Sequence, residues 1–222
     1  MAVRESTHKP DLLDTAPQPG RRPATSHAQL STIAIDLFTA KGFDETSVDD
    51  IAEAAGIARR TLFRYFPSKN AIAWGDFDAH LDAMRTRLAL IPDDLPIAEA
   101  LRQALVTFNE VPDAELDNHR RRLRLLLEVP ALQAYSMLMY ADWRQVVAGY
   151  AAKRLGLRPA DYQPQLIGWL TLGTALAAYE QWLADEQDQS VRQLRELLVE
   201  GSRLLAVGID AALAVGPTDR IN

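Results

Sequence analysis

The 222-residue chain is predicted to be all-α, with a small three-helix unit at its N-terminus ahead of a larger helical domain. Three observations predict this. Apolar residues recur at helical spacing along most of the chain. Neither period-2 alternation of useful length nor an internal repeat is present. The breaks between periodic segments carry glycine, proline and capping residues.

Between His27 and Lys41, Leu30, Ile33, Ala34, Leu37 and Phe38 form an amphipathic stripe, with Ser26 as N-cap and Gly42 as stop. Ser47, followed three residues later by Asp50, opens a short helix over Val48–Ala55 that ends at Gly56. A second short helix runs from Arg59 to Phe66 and stops at Pro67, and Ser68 caps a long helix continuing to Leu90. Downstream, turn signals delimit helices over about 97–110, 114–128, 131–155, 162–184 and 190–209. Residues 1–24, rich in proline and charge and holding Arg21 and Arg22, read as a disordered arm, and residues 214–222 as a frayed tail. The division that follows is a small three-helix unit over 25–75 and a second domain over 76–213.

Composition excludes several classes. With no cysteine, disulfides, thiolate metal sites and cysteine nucleophiles are all absent, which suits a cytoplasmic location. His8, His27, His80 and His119 never stand at i, i+4, so they read as solvent-facing or capping residues, and no metal or cofactor is expected. No signal peptide is evident, and Ile167–Tyr179, the longest nearly apolar stretch, is too short to span a bilayer, so no membrane partner is expected. The formal net charge of −6 hides an asymmetry: residues 1–75 carry 9 basic and 9 acidic side chains, and residues 76–222 carry 15 and 21. The window 54–75 holds Arg59, Arg60, Arg64 and Lys69 with no acid, a local patch suited to phosphate.

Two short helices separated by about three residues that include Gly56 form a helix-turn-helix pattern, and the second of them is the basic, aromatic, acid-free one. Leu62 and Phe66, four apart, are expected to pack on Ile51 and the first helix. Arg59, Arg60, Thr61 and Arg64 then project from the turns that meet base edges, where arginine binds guanine O6 and N7 in a bidentate pair.

The stretch Ala52–Lys69, extended upstream through Gly42–Val48, resembles the signature of the TetR family of repressors over about residues 27–75. The resemblance implies a homodimer that binds double-stranded operator DNA and carries a C-terminal domain for a small-molecule effector. It also implies phosphate contacts for Thr46, Tyr65 and Lys69, which fix orientation rather than sequence. Two positions depart from the family pattern: Ala58 stands where a capping serine is frequent, and Arg60 where a small residue is. The first removes about 1 kcal/mol of cap; the second adds a cation at the DNA face. By the same resemblance, the segments Gln163–Ala184 and Ser190–Gly208 would pair with their symmetry mates. Gly168, Gly173, Thr174, Ala177 and Ala178 would allow close approach, and Leu194, Leu197, Leu198 and Leu205 would supply an apolar face.

Leu105, Phe108, Leu126, Met137, Tyr140, Trp143, Trp169, Leu172, Tyr179 and Trp182 offer large apolar area for either a ligand cavity or an ordinary core. Arg120, Arg121, Arg122 and Arg124 form a basic run on an otherwise acidic domain, a solvated face by default and a phosphate binder as the alternative. The segments Ala58–Asn70, Trp74–Leu81 and Glu128–Met137 are further similar to the actinobacterial TetR-type regulators that accompany mycofactocin biosynthesis clusters. That similarity implies a long-chain acyl-CoA effector, with Leu105, Phe108, Met137, Tyr140, Trp143, Trp169 and Tyr179 around the chain and Arg120, Arg121 and Arg124 near the nucleotide.

No glycine-rich phosphate loop, GxSxG, HExxH or paired-carboxylate motif is present, so an enzyme is not expected. An all-α adaptor without DNA contact predicts acids through 54–75, which are absent. A nonspecific architectural DNA binder sits poorly with the acidic second domain.

Overall fold

Ser26 starts the first helix through a capping box: its hydroxyl accepts from the Gln29 backbone while the Gln29 side chain accepts from the Ser26 backbone. In the computed structural model, which describes residues 25–214 with side chains as far as Gly208, this opens α1 (His27–Lys41). Ser47 and Asp50 form a second box at α2 (Val48–Ala54). Then follow α3 (Arg59–Tyr65), α4 (Lys69–Trp74), α5 (Phe77–Leu90), α6 (Ile97–Phe108), a 3₁₀ turn (Asp113–Glu115), α7 (Leu116–Glu128), α8 (Pro130–Leu155), α9 (Tyr162–Ala184) and α10 (Val191–Ala214). There is no strand among the described residues, and none of their helices is long and apolar enough to cross a membrane. The expected arm lies outside the described residues, as does the tail beyond Ala214.

The helix expected from Ser68 to Leu90 is two helices. Gly75 has φ +67° and ends α4, and Asp76 caps α5 by accepting from the Ala79 backbone. Gly75 enters a left-handed conformation at little steric cost, and an aspartate next to it supplies a new cap, so the ladder breaks there. In α1 the buried stripe is Leu30, Ser31, Ala34, Ile35 and Phe38. It is rotated from the expected one: Ile35 is wholly buried while Ile33 and Leu37 are only half-buried.

Two apolar cores result. The first joins α1–α4 around Phe38, Ile51, Leu62 and Phe66, and draws in Leu126 from α7 and Leu132 from α8. Leu62 and Phe66 therefore pack inward with Ile51 and α1, as expected. The second core lies among α5–α10, where α9 packs along both α8 and α10. Gly168 is taken up inside the chain, a Cβ there meeting the Arg144 carbonyl at 3.1 Å, and Ala178, Leu194 and Leu198 are buried in the same core. These residues are corrected from the expected partner-facing set. Gly173 and Ala177 stay exposed on α9.

His119 also departs from expectation, being half-buried on α7, its Nε2 shielded from solvent and its ring 6.2 Å from that of Trp182. Burial chiefly, with Arg122 and His80 adding positive charge, holds its imidazole down to about 4. An unfolded chain takes a proton near the ordinary value of 6.5, whereas the folded protein resists until about 4. Between those values the unfolded state binds more protons, so stability declines as the pH falls through that window. Urea unfolding should show a loss on the order of 2 kcal/mol from pH 7 to pH 5, and His119→Gln should flatten that slope. An unchanged slope in the variant would assign the pH dependence to other groups.

Candidate nucleic-acid interface and interior cavity

The α2–turn–α3 unit presents its second helix outward. Arg60 and Arg64, one turn apart, are exposed and make no hydrogen bond or ion pair among the described residues. Thr61 beside them is half-buried. Arg59 is engaged with Asp49 at 2.7 Å and stacks over the exposed Phe63 ring at 5.6 Å. Such an exposed pair is worth at most about 1 kcal/mol and rearranges readily. Ala58 caps α3 without any side-chain bond.

The three residues expected on phosphates are used differently. Thr46 is wholly buried, its hydroxyl donating to the Gly42 carbonyl at 2.8 Å, which removes it from a direct phosphate contact. Lys69 donates from Nζ to the carbonyls of Phe43 at 2.8 Å and Thr46 at 3.1 Å and lies 4.2 Å from the Phe43 ring, tying α4 to the loop before α2. Tyr65 donates its hydroxyl to the Thr25 carbonyl at 2.9 Å. The His27 ring meets the Tyr65 carbonyl and packs edge-on against Tyr65 and Phe66.

A cavity of about 1180 Å³ occupies the second domain and reaches the back of the first. Leu105, Phe108, Tyr140, Trp143, Leu172 and Tyr179 line its inner part; Leu30, Ile33 and Ile57 line the end beneath the helix-turn-helix. Deep in it, Tyr179 donates to Asn109 Oδ1 and Asn109 Nδ2 donates to the Leu105 carbonyl at 2.8 Å, so these buried polar groups satisfy one another. Burial pushes the Tyr179 and Tyr140 phenols up, so both stay protonated as donors.

Five expected cavity residues are thus brought together: Leu105, Phe108, Tyr140, Trp143 and Tyr179. Five are not. Met137 and Trp169 are 54% and 49% exposed and lie off the inward stripes of α8 and α9, Trp169 carrying the Arg144 guanidinium at 3.4 Å on its face. Arg121 reaches Asp36 on α1 and Asp117; Arg124 approaches Glu128; Arg120 does not line the cavity. At about 100° per residue, consecutive arginines fan around a helix and cannot all face one space. Arg122 alone of the run lines the cavity, with Asn118 and His119 from the same helix. His119, Leu123 and Leu126 stand at i, i+4 and i+7, a helical spacing that marks the inward stripe of α7 when the half-buried histidine is counted with the two leucines.

Residues 32–73 match the family model described as bacterial regulatory proteins, tetR family, and residues 95–210 match that of the MftR C-terminal domain. The chain is 49% identical, over 86% of its length and 94% of the relative's, to a Mycobacterium tuberculosis protein named as the mycofactocin biosynthesis transcriptional regulator MftR. It is 29% identical, over 72% of its length and 76% of the relative's, to the regulator TcmR of Streptomyces glaucescens. Among solved structures, FadR of Thermus thermophilus in complex with lauroyl-CoA shares the fold at a TM-score of 0.55 and 23% identity, covering 82% of this chain and 94% of that one. FadR of Bacillus halodurans, a fatty acid degradation regulator, does so at 0.59 and 18%, covering 82% and 99%. The two family models between them span the basic helix-turn-helix and the cavity-bearing domain, and the chain belongs to the TetR family of bacterial transcriptional regulators, with a C-terminal domain of the MftR type.

Proposed function

We propose that this protein is a homodimeric repressor of a mycofactocin biosynthesis operon that leaves its operator when a long-chain acyl-CoA enters the cavity. The observation that carries this reading is the cavity itself. At about 1180 Å³ it exceeds the roughly 300–1,000 Å³ of ordinary small-molecule pockets. Its inner walls are apolar and aromatic, and among the described residues one arginine, Arg122, lines it. An acyl chain gains roughly 0.8 kcal/mol for each methylene buried there. The 49% identity to the Mycobacterium tuberculosis relative supports the operon assignment, and the lauroyl-CoA held by the Thermus thermophilus FadR favours a ligand of that chemistry within the same fold.

On the DNA side, Arg60 and Arg64 are the base readers, because they are exposed and carry no competing partner. Arg59 and Thr61 border them on α3. Tyr65 and Lys69 act on the phosphates through the positions they hold, the tyrosine beside the start of α1 and the lysine at the start of α4. The dimer face is the apolar exterior of α9 and α10, where Trp169, Leu170 and Leu204 are exposed and Gly173 and Ala177 are exposed on α9. A bulky apolar surface of this kind marks an association site.

Three outcomes test this reading. In mobility-shift assays with a palindromic operator and single-base variants, Arg60→Ala and Arg64→Ala should each lose about 1–3 kcal/mol of preference at one base pair per half-site, whereas Lys69→Ala should weaken every sequence alike. Sedimentation should find a dimer that Trp169→Arg dissociates, with operator affinity falling in parallel; a monomer that still occupies an inverted repeat would contradict it. Titration of the operator complex with acyl-CoA esters should release DNA more strongly as the chain lengthens, and a flat response across chain lengths would remove acyl-CoA as the effector.

A further inference from the structure

Four helices converge on one point of the cavity wall. Gly75 sits at the break between α4 and α5, and a Cβ placed on it would lie 3.5 Å from Ser31 Oγ of α1 and 3.9 Å from Cζ of Arg122 of α7. Arg122 donates to Ser31 Oγ at 3.2 Å and to Asn118 Oδ1 at 3.4 Å, and Ser31 in turn donates to the Ile72 carbonyl of α4 at 2.8 Å. A chain of bonds therefore runs from the cavity, through α1, into the short helix that follows the recognition helix.

The guanidinium at the head of this chain is unusual in its surroundings. Arg122 forms no ion pair with a carboxylate among the described residues, and burial holds its pKa below the ordinary arginine value, with only the more distant Glu115 opposing. Asp76 and Glu110, the other acids in the cavity wall, are not paired with it either; Asp76 faces His27. In the same wall Nε of Arg122, Nδ2 of Asn118, Nε2 of His119 and Nε1 of Trp74 are shielded from solvent and have no hydrogen-bond partner among the described residues. All four residues line the cavity. A half-buried cation without a carboxylate, with N–H donors of Asn118 and Trp74 shielded in the same wall and left without acceptors, is a costly arrangement that an oxyanion relieves.

We propose that Arg122 is both the oxyanion receptor of the cavity and the latch between the two cores. A carboxylate or phosphate entering the cavity takes the guanidinium from Ser31, and α1 loosens from α4 beside the Gly75 hinge. This rests on the reading that an amphiphile enters the cavity, and it adds which group of that amphiphile signals to the DNA-binding unit. The apolar chain supplies affinity; the anion supplies the change of state, because only a group that binds the two states differently shifts their balance.

Three probes separate the parts: palmitate, palmitoyl-CoA and uncharged methyl palmitate, with binding read by quenching of the tryptophans in the cavity wall. Arg122→Met should bind methyl palmitate like the wild type and lose about tenfold or more for a charged probe. Loss for palmitate identifies the carboxylate as the signal, and loss for palmitoyl-CoA alone identifies a phosphate. Arg122→Lys, which keeps the charge, should retain part of the preference, and circular dichroism checks that both variants fold. Equal affinities for all probes in wild type and Arg122→Met, or a uniform loss that includes the ester, would overturn the receptor role. Ser31→Ala should lower operator affinity without ligand and raise affinity for the charged probe by a similar factor, about three- to tenfold, since coupling is reciprocal. No change in either would overturn the latch. Wild-type protein that binds none of the probes would end the lipid assignment and the receptor role together, while a weaker operator complex for Ser31→Ala would still uphold the latch.

Discussion

Helix α7 is a member of both hydrophobic cores, and the rest of the architecture depends on that double membership. Leu123 is buried with the second-domain core and Leu126, one turn on, with the core of the helix-turn-helix, alongside Leu132 from the start of α8. Neither unit closes its apolar surface without this helix. A displacement of α7 toward one core therefore comes at the expense of packing in the other, and close-packed interiors exchange between discrete arrangements more readily than they deform continuously. The polar contacts from α7 follow the same seam, Arg121 to Asp36 and Arg122 to Ser31, both on α1.

The break at Gly75 and Asp76 gives this seam something to move. A continuous helix from Ser68 to Leu90 would act as a single rigid rod between the DNA face and the cavity. Two helices joined at a left-handed glycine can instead change their mutual angle while each keeps its own cap, Ser68 for α4 and Asp76 for α5. The energy required is modest: a tenfold change in operator affinity corresponds to about 1.4 kcal/mol of coupling, comparable to a single hydrogen bond to a charged group.

Much of the fold was legible in the sequence because it is encoded locally. The Ser26 and Ser47 caps, the turn at Gly56 and the stop at Pro67 each act within a few residues, and helix starts and stops follow them closely. What escaped is information that local pattern does not hold. The Gly75–Asp76 break reads as a tolerated glycine until the aspartate is recognised as a new cap. Trp169 and Met137 are large and apolar, and so suggest a cavity, yet only the packing of α8 and α9 decides which side of a nearly all-apolar helix turns inward. The arginine run suggests a cluster in the linear sequence, whereas a helix spreads successive residues around its axis. Without a histidine partner at i+4, His119 reads as solvent-facing, and its half-buried place depends on Trp182, more than sixty residues away.

The bare arginines of α3 also bear on how the protein meets DNA in time. The excess acid lies in residues 76–222 and the acid-free basic window in 54–75, so approach to a polyanion through the α3 face is favoured over approach through the second domain. Such an asymmetry biases diffusional encounters by orientation, since an uneven charge distribution steers an approaching molecule. A uniformly basic protein would gain more collisions with the duplex but would dwell in unproductive poses. This one trades collision frequency for encounters that already have the reading helix in front.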